Sequence, residues 1–410
     1  MADDAAATTR GFTFDYRPGE LRCGRGCVAD LGSVLADRGL DSALVVTGRN
    51  VGANRDVMDP IEAGLGDRLA GVSDETTPEK YLATGLAVAR RVRESAVDAI
   101  VAVGSGSSLD VAKVASALGS HDHLRGAAER AIDEGSVRVA DGGTPTPVVA
   151  VPTTLAGADL SALAGVSLSL DPEGTPDEEI PGGGVSDERL MPVALFYDLA
   201  LFETTPTGVL CASAMNGFDK AVECLYSPDA TPVTDGTAMR ALSLVRSGFE
   251  TLPGEEMDEE RLYESVTGVV LAQYGLSTPD AYRASVIHAF GHGFNGYGIH
   301  QGTAHGIVAP HVLDYLFERV DGRRELLADG LGVYGPDATD SELAERVVDA
   351  VAGVSDDLGL PSRLREVDGL SREDLPEIAE VIAADSFFDN APEGIDPDAG
   401  EVKRVLEAAW

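Results

Sequence analysis

The apolar positions of this chain change rhythm near residue 200. Before it, short unbroken apolar runs rich in β-branched residues alternate with stretches of helical period. DSALVVTGRN (41–50), VDAIVAVG (97–104) and TPVVAVP (146–152) are such runs, and each ends at a Gly or Pro. An unbroken apolar run of that length predicts a strand covered on both faces. An extended segment is expected over 12–23, helices near 27–38 and 79–96, and a last strand over ALFYD (194–198). Strands alternating with helices predict a parallel, doubly wound sheet. The acidic, Gly- and Pro-rich stretch 171–187 predicts a loop or excursion. After residue 200 the period is helical over 207–226, 234–250, 258–276, 279–292, 304–319, 341–358, 372–385 and 399–409, with no strand among them. The chain is therefore expected to divide into an α/β half, 1–200, and an all-helical half, 201–410.

Charge narrows the setting without touching the fold. Of 410 residues, 69 are acidic and 31 basic, a formal net charge of −38. Only four of the basic residues are lysine: Lys80, Lys113, Lys220 and Lys403. The acids are scattered along the chain. Self-repulsion on this scale is tolerated where salt screens it, since the Debye length falls to about 3 Å at molar ionic strength. A high-salt cytoplasm is the expected setting. Nucleic acid is excluded as a partner, because it calls for a basic stripe. No apolar run approaches the roughly 20 residues that span a bilayer. The acidic N-terminus MADDAAATTRG lacks the apolar segment of a secretory signal. Cys23 and Cys27 flank a glycine turn without two further ligands at zinc spacing, and Cys211 and Cys224 read as packing residues.

The candidate chemistry lies in four places. Five of the seven histidines (His288, His292, His300, His305, His311) fall in HAFGHGFNGYGIHQGTAHGIVAPH, 288–311. His288 and His292 share one helix face at a spacing of four. In VAVGSGSSLDVAKVAS (101–116) a strand turns through Gly104, Ser105, Gly106 and Ser107 into a helix carrying Asp110 and Lys113. Such a turn offers free N–H groups and a helix N-terminus to a phosphate or pyrophosphate. In VPTTLAGADLSA (151–162), Thr153 and Thr154 follow a strand end and can serve a ribose or phosphate. In SAMNGFDKAVECLYS (213–227), Lys220 sits among Ala221, Val222 and Leu225, so its ammonium needs a buried partner.

These motifs, in this order and across essentially the whole chain, resemble the iron-containing alcohol dehydrogenase superfamily, which also holds glycerol dehydrogenases and dehydroquinate-synthase-like enzymes. PTTLAG (152–157), MNGFDKAVECLY (215–226) and FFDNAPEG (387–394) with VKRVLEAAW (402–410) are most similar to the maleylacetate reductases within it. The resemblance implies a Rossmann-like N-terminal domain, a helical C-terminal domain of the dehydroquinate synthase type, and a nicotinamide cofactor in the cleft between them. It implies Gly104, Gly106, Ser107, Asp110, Lys113, Thr153 and Thr154 around the cofactor, and His288 and His292 near the nicotinamide and the substrate carbonyl. Relatives are often dimers or larger, so a homo-oligomer is expected.

The departures from that pattern shape the expected mechanism. Metal-dependent members use an Asp and a His four residues on, with two further histidines. Matched on VECLY, those first two positions hold Asn216 and Lys220, and a lysine cation repels a metal. A register shifted along the helix offers Asp219 and Glu223 instead, which with His288 and His305 would give an iron or zinc site. Either His300 or His305 fills the later histidine position. The first reading is a metal-independent NAD(P)H-linked reductase of a small carbonyl or oxo acid, with Lys220, His288, His292 and His300 as catalytic groups. The others are a metal-dependent alcohol or polyol dehydrogenase, a lyase or cyclase of the dehydroquinate-synthase type, and a nucleotide-binding relative without turnover. Gly48 stands where NAD-using relatives often carry an Asp, and Arg49 follows, so NADP is favoured over NAD.

Overall fold

The computed structural model describes residues 12–173, 180–254, 257–279 and 281–410. Six parallel strands form the sheet of the first half: β1 (Glu20–Cys23), β2 (Ala43–Gly48), β3 (Leu69–Thr76), β4 (Ala99–Gly104), β5 (Val148–Pro152) and β8 (Ala194–Tyr197). Their spatial order is β1-β8-β5-β4-β2-β3. Between β5 and β8 the chain makes an antiparallel pair, β6 (Leu163–Ser167) with β7 (Gly182–Ser186). β7 lies inside the stretch 171–187, and residues 174–179 of that stretch fall outside the described residues. β3 has no counterpart in the sequence reading, because it is an edge strand with Ser73, Asp74 and Glu75 in the middle and a half-exposed face.

The helices of this half are α1 (Leu31–Ala36), α2 (Arg49–Ala53), α3 (Arg55–Leu65), α4 (Leu82–Glu94), α5 (Gly106–Gly119) and α6 (Leu124–Glu134). Side chains alternate across the sheet, as the strand period requires. Val101, Val103, Val149 and Val151 pack with α1 and α3 on one face. Ile100, Ala102, Val148 and Ala150 pack with α4 and α5 on the other. From β2 the chain adds β3 on one side and then β4 on the other, so the order of winding reverses between the parallel strands β2 and β4 and their carboxyl ends flank a crevice. Crevices of that kind, beyond the carboxyl ends of parallel strands, are where ligands bind in open α/β sheets.

The second half is helical: α7 (Leu199–Phe202), α8 (Thr207–Tyr226), α9 (Pro232–Gly248), α10 (Glu259–Gln273), α11 (Val286–His292), α12 (Gln301–Phe317), α13 (Arg324–Gly330), α14 (Asp340–Asp357), α15 (Leu375–Ala383) and α16 (Ala399–Ala409). One expected helix is shorter than its pattern. Over 279–292 only Val286–His292 is helical, and Ala281–Tyr282 pairs with Ser277–Thr278 as a minimal antiparallel ribbon. Every residue of α8 from Leu210 to Tyr226 is buried. A helix apolar nearly all round belongs in a core, and α8 packs on α9, α10 and α12.

Gly302 lets α12 approach α8. A Cβ there would lie 1.7 Å from the Ala212 carbonyl oxygen, closer than any two such atoms can come. Because the obstacle is helix backbone, the helices would have to separate. Gly302→Ala is expected to destabilise the protein by about 2 kcal/mol or more, read as a lowered urea midpoint with an unchanged denaturant slope.

Candidate active site

The crevice opens on the glycine turn. Gly104 has φ +126°, a conformation that favours glycine, and Ser105 then caps α5 with extended backbone. Residues 105–107 are half-buried at the helix N-terminus. Gly104 pairs with Pro152 in the sheet, and the Thr153 amide donates to the Gly104 carbonyl at 3.0 Å. The turn and the Thr153–Thr154 loop therefore lie side by side. Gly48 ends β2 on the other flank. Arg49 is exposed there, with no hydrogen bond or ion pair among the described residues.

Asp110 and Lys113 face inward from α5. Asp110 pairs with Lys80 at 2.9 Å, and this carboxylate holds the Lys80 ammonium above its usual range. Lys113 is wholly buried, and its Nζ donates to the carbonyls of Ala158 (2.6 Å) and Leu163 (3.0 Å). Lys220 does the same from α8, donating to Ala156 (2.6 Å) and Gly157 (2.8 Å). Two ammonium groups, one from each half, thus hold the loop after Thr154 from opposite sides. Burial lowers both to about 8, since an ammonium loses water there without gaining a full counter-charge.

The histidines resolve into carboxylate pairs. His288 Nδ1 lies 2.5 Å from Glu223 Oε2, and the other Glu223 oxygen accepts the amides of Ile287 and His288 and the Tyr226 hydroxyl. Burial alone would raise Glu223, but His288 outweighs it and holds the carboxylate below its usual value. Burial also lowers His288 against the pull of Glu223, so a neutral imidazole donates to an ionised carboxylate. His305 Nδ1 lies 2.9 Å from Asp219 Oδ2, both wholly buried. Burial pushes Asp219 up and His305 down to about 3. His292 Nδ1 lies 2.8 Å from Asp385 Oδ2. The His288 and His305 rings meet edge to face at 4.7 Å, and Phe387 packs on His292 at 4.7 Å.

The remaining candidates lie apart from these pairs. His300 is exposed and caps α12, its Nδ1 accepting the Gly302 amide. His311 is half-buried further along α12, near Arg363. Neither His300 nor His305 faces Asn216: Gln301 does, accepting from Asn216 Nδ2 at 3.1 Å. Gln301 lies within the histidine-rich stretch and Phe387 opens the FFDNAPEG segment, but neither was singled out there, and Asp385 had no motif around it. The only signal for Gln301 was its place beside His300.

The resemblance to iron-containing dehydrogenases implies a metal, and these side chains are the donors that would hold it. Among the described residues no three His, Cys, Asp or Glu side chains converge as a metal site. Asp219, Glu223, His288 and His305 do come together, but as two Nδ1–carboxylate pairs, and both Glu223 oxygens already accept hydrogen bonds. The other register offers two mutually bonded amides, an ammonium and His288 Nε2, which is buried without a hydrogen-bond partner, as are both His305 nitrogens and both Asp219 oxygens. As paired here, neither set brings three such donors together around one cation. The glycine turn beside a half-buried helix N-terminus does fit a dinucleotide pyrophosphate.

Residues 18–198 match the iron-containing alcohol dehydrogenase family, and residues 210–410 match the C-terminal part of the same family. The chain belongs to that family and is an NAD(P)-dependent oxidoreductase acting between CH–OH and C=O groups. It is 26% identical to a maleylacetate reductase of Pseudomonas knackmussii over 394 residues, 95% of each chain. It is 27% identical to an NAD-dependent methanol dehydrogenase of Bacillus methanolicus over 384 residues, 89% of this chain and 91% of that one. A crystal structure of a 1,3-propanediol oxidoreductase has the same fold, with a TM-score of 0.83 at 23% identity over 97% of this chain and 100% of that one. No described helix is long and apolar enough to cross a membrane.

The two buried lysines make stability depend on pH with a defined sign. An unfolded lysine keeps its proton up to about the usual 10.5, whereas folded Lys113 releases it near 8. Between those values the unfolded chain binds more protons, so stability rises with pH. Urea midpoints at pH 7.5 and 9.5 are expected to rise more for the wild type than for Lys113→Met.

Proposed function

We propose that this protein is a metal-independent reductase that converts a small carbonyl compound, a short oxo acid of the maleylacetate kind first among them, to its alcohol. The carrying observation is the Lys220 ammonium, buried in the cleft beside the loop after Thr154 and within electrostatic reach of His288. Bound NAD(P)H supplies the hydride. Two of the three Lys220 N–H bonds go to carbonyls, which leaves one for a substrate oxygen. A fixed cation at that oxygen offsets the charge that develops there. The proton comes from the histidine cluster, with His288, His292 and His300 as its candidates. Gly104, Gly106, Ser107, Thr153 and Thr154 hold the pyrophosphate side of the cofactor, with Asp110 and Lys113 behind them shaping the cleft. Residues 1–200 and 201–410 act as two domains around it. The strong negative charge supports a place in a salt-rich cytoplasm, and a homodimer is part of the same proposal.

Metal content and activity after chelation test the lysine reading against a panel of maleylacetate, short 2-oxo acids and short aldehydes in high salt. Turnover is expected to survive chelation, and Lys220→Ala is expected to lose about 10²-fold or more in kcat. A tightly bound stoichiometric metal required for turnover would overturn it.

Arg49 supports a preference for NADPH. It stands free and exposed beyond Gly48, where no acid holds a 2′-hydroxyl. Comparison of kcat/KM for the two cofactors is expected to favour NADPH, and Arg49→Ala to reduce that preference. A strong preference for NADH in the wild type would refute the role.

A further inference from the structure

Three imidazoles near the cleft point Nδ1 at a carboxylate, yet only one of them opens outward. The His288 side chain is 5% exposed and His305 is wholly buried, whereas His292 is 27% exposed. His292 ends α11 on the face that also carries His288, and Phe387 packs against both rings. Its partner Asp385 is held in turn from two sides. Asp385 Oδ1 accepts the Phe387 amide at 2.8 Å, capping the short turn Ser386–Asn390. Asn390 ties that turn to the segment before α11 by donating to the Ala284 carbonyl at 3.1 Å.

The two Asp385 oxygens therefore have separate tasks. Oδ1 is committed to a backbone N–H, which can only donate. Oδ2 faces His292 Nδ1 at 2.8 Å. An oxygen that can only accept places the proton of a neutral ring on Nδ1, and leaves Nε2 as the nitrogen that exchanges protons. When Nε2 is protonated as well, the carboxylate faces the charge that arises.

We propose that Asp385 is a positioning residue that fixes the tautomer of His292, and that His292 Nε2 is the group that delivers the proton. This rests on the reading that the cluster protonates the substrate oxygen, and names the residue that does so. The step balances: a hydride joins the carbonyl carbon, the C–O π pair goes to oxygen, the Nε2 proton joins that oxygen, and the ring is reprotonated from water at its exposed edge. In alcohol oxidation the same nitrogen accepts.

Asp385→Asn separates this role from a structural one. The Asn oxygen keeps the bond to the Phe387 amide, so its NH₂ must turn to His292 Nδ1. A donor there forces the ring proton onto Nε2, which then cannot accept. The histidine ¹⁵N spectrum of the folded protein, which needs no substrate, is expected to show His292 switching from the Nδ1–H to the Nε2–H form. With butan-1-ol and the oxidised cofactor, the direction in which Nε2 must accept the proton, kcat is expected to fall about 10²-fold or more, with KM for the cofactor within about twofold. Asp385→Glu, which returns a carboxylate, is expected to recover kcat at least tenfold over Asp385→Asn. An unchanged tautomer in Asp385→Asn, or a switched tautomer with near wild-type kcat, overturns the proposal. A metal requirement would leave this test standing, because the tautomer is read independently of what polarises the carbonyl. Should Asp385→Asn fail to fold, the wild-type spectrum decides: Nε2–H in the resting protein overturns the assignment.

Discussion

Two ammonium groups clamp one loop, and the cleft takes its shape from that clamp. Lys113 reaches the loop from the sheet half and Lys220 from the helical half, and between them they hold the carbonyls of Ala156, Gly157, Ala158 and Leu163. A buried ammonium left unbonded would cost several kcal/mol, so these contacts are constraints that the surrounding chain must satisfy. They account for two of the four lysines in a chain that otherwise uses arginine. A third, Lys80, pairs with Asp110 on the same helix as Lys113. Arginine, with its broad planar fork, would not fit between carbonyls at the end of a buried stem, whereas a compact ammonium does.

The clamp also bears on the family relationship. The chain keeps the fold of an iron-containing alcohol dehydrogenase, and α8 carries both an amide and ammonium pair, Asn216 and Lys220, and a carboxylate pair, Asp219 and Glu223. Asn216 and Gln301 satisfy each other, which removes the cost of two buried amides without any ion between them. Glu223 is engaged by two amides, a hydroxyl and an imidazole, so it orients His288 and has little left to offer a cation.

Imidazole orientation is the second theme of the cleft. Glu223 and Asp219 come from α8 and Asp385 from the turn after α15, yet each sits at the Nδ1 of a different histidine. The arrangement divides labour by exposure. The two inner pairs fill space between α8, α11 and α12, and the outer pair lies where solvent can reach the ring.

Much of this was legible in the residues alone. The unbroken β-branched runs could only be strands buried on both faces, and the helical period of α8 and α16 set their bounds at 207–226 and 399–409. The glycine turn, the Thr153–Thr154 loop, the singular Lys220 and the histidine-rich stretch each announce themselves by local composition, because the chemistry they carry is confined to a few consecutive residues. The edge strand β3 and the β6–β7 pair did not, since half-exposed strands with Ser, Asp or Gly in them carry weak periodicity. Nor could local sequence show that Lys113 and Lys220 share one loop, that Gln301 rather than a histidine meets Asn216, or that Asp385 is the partner of His292 from 93 positions away. Those relations depend on which side chains the packing of helices brings within 3 Å, and that distance is set by the whole core rather than by any segment of it.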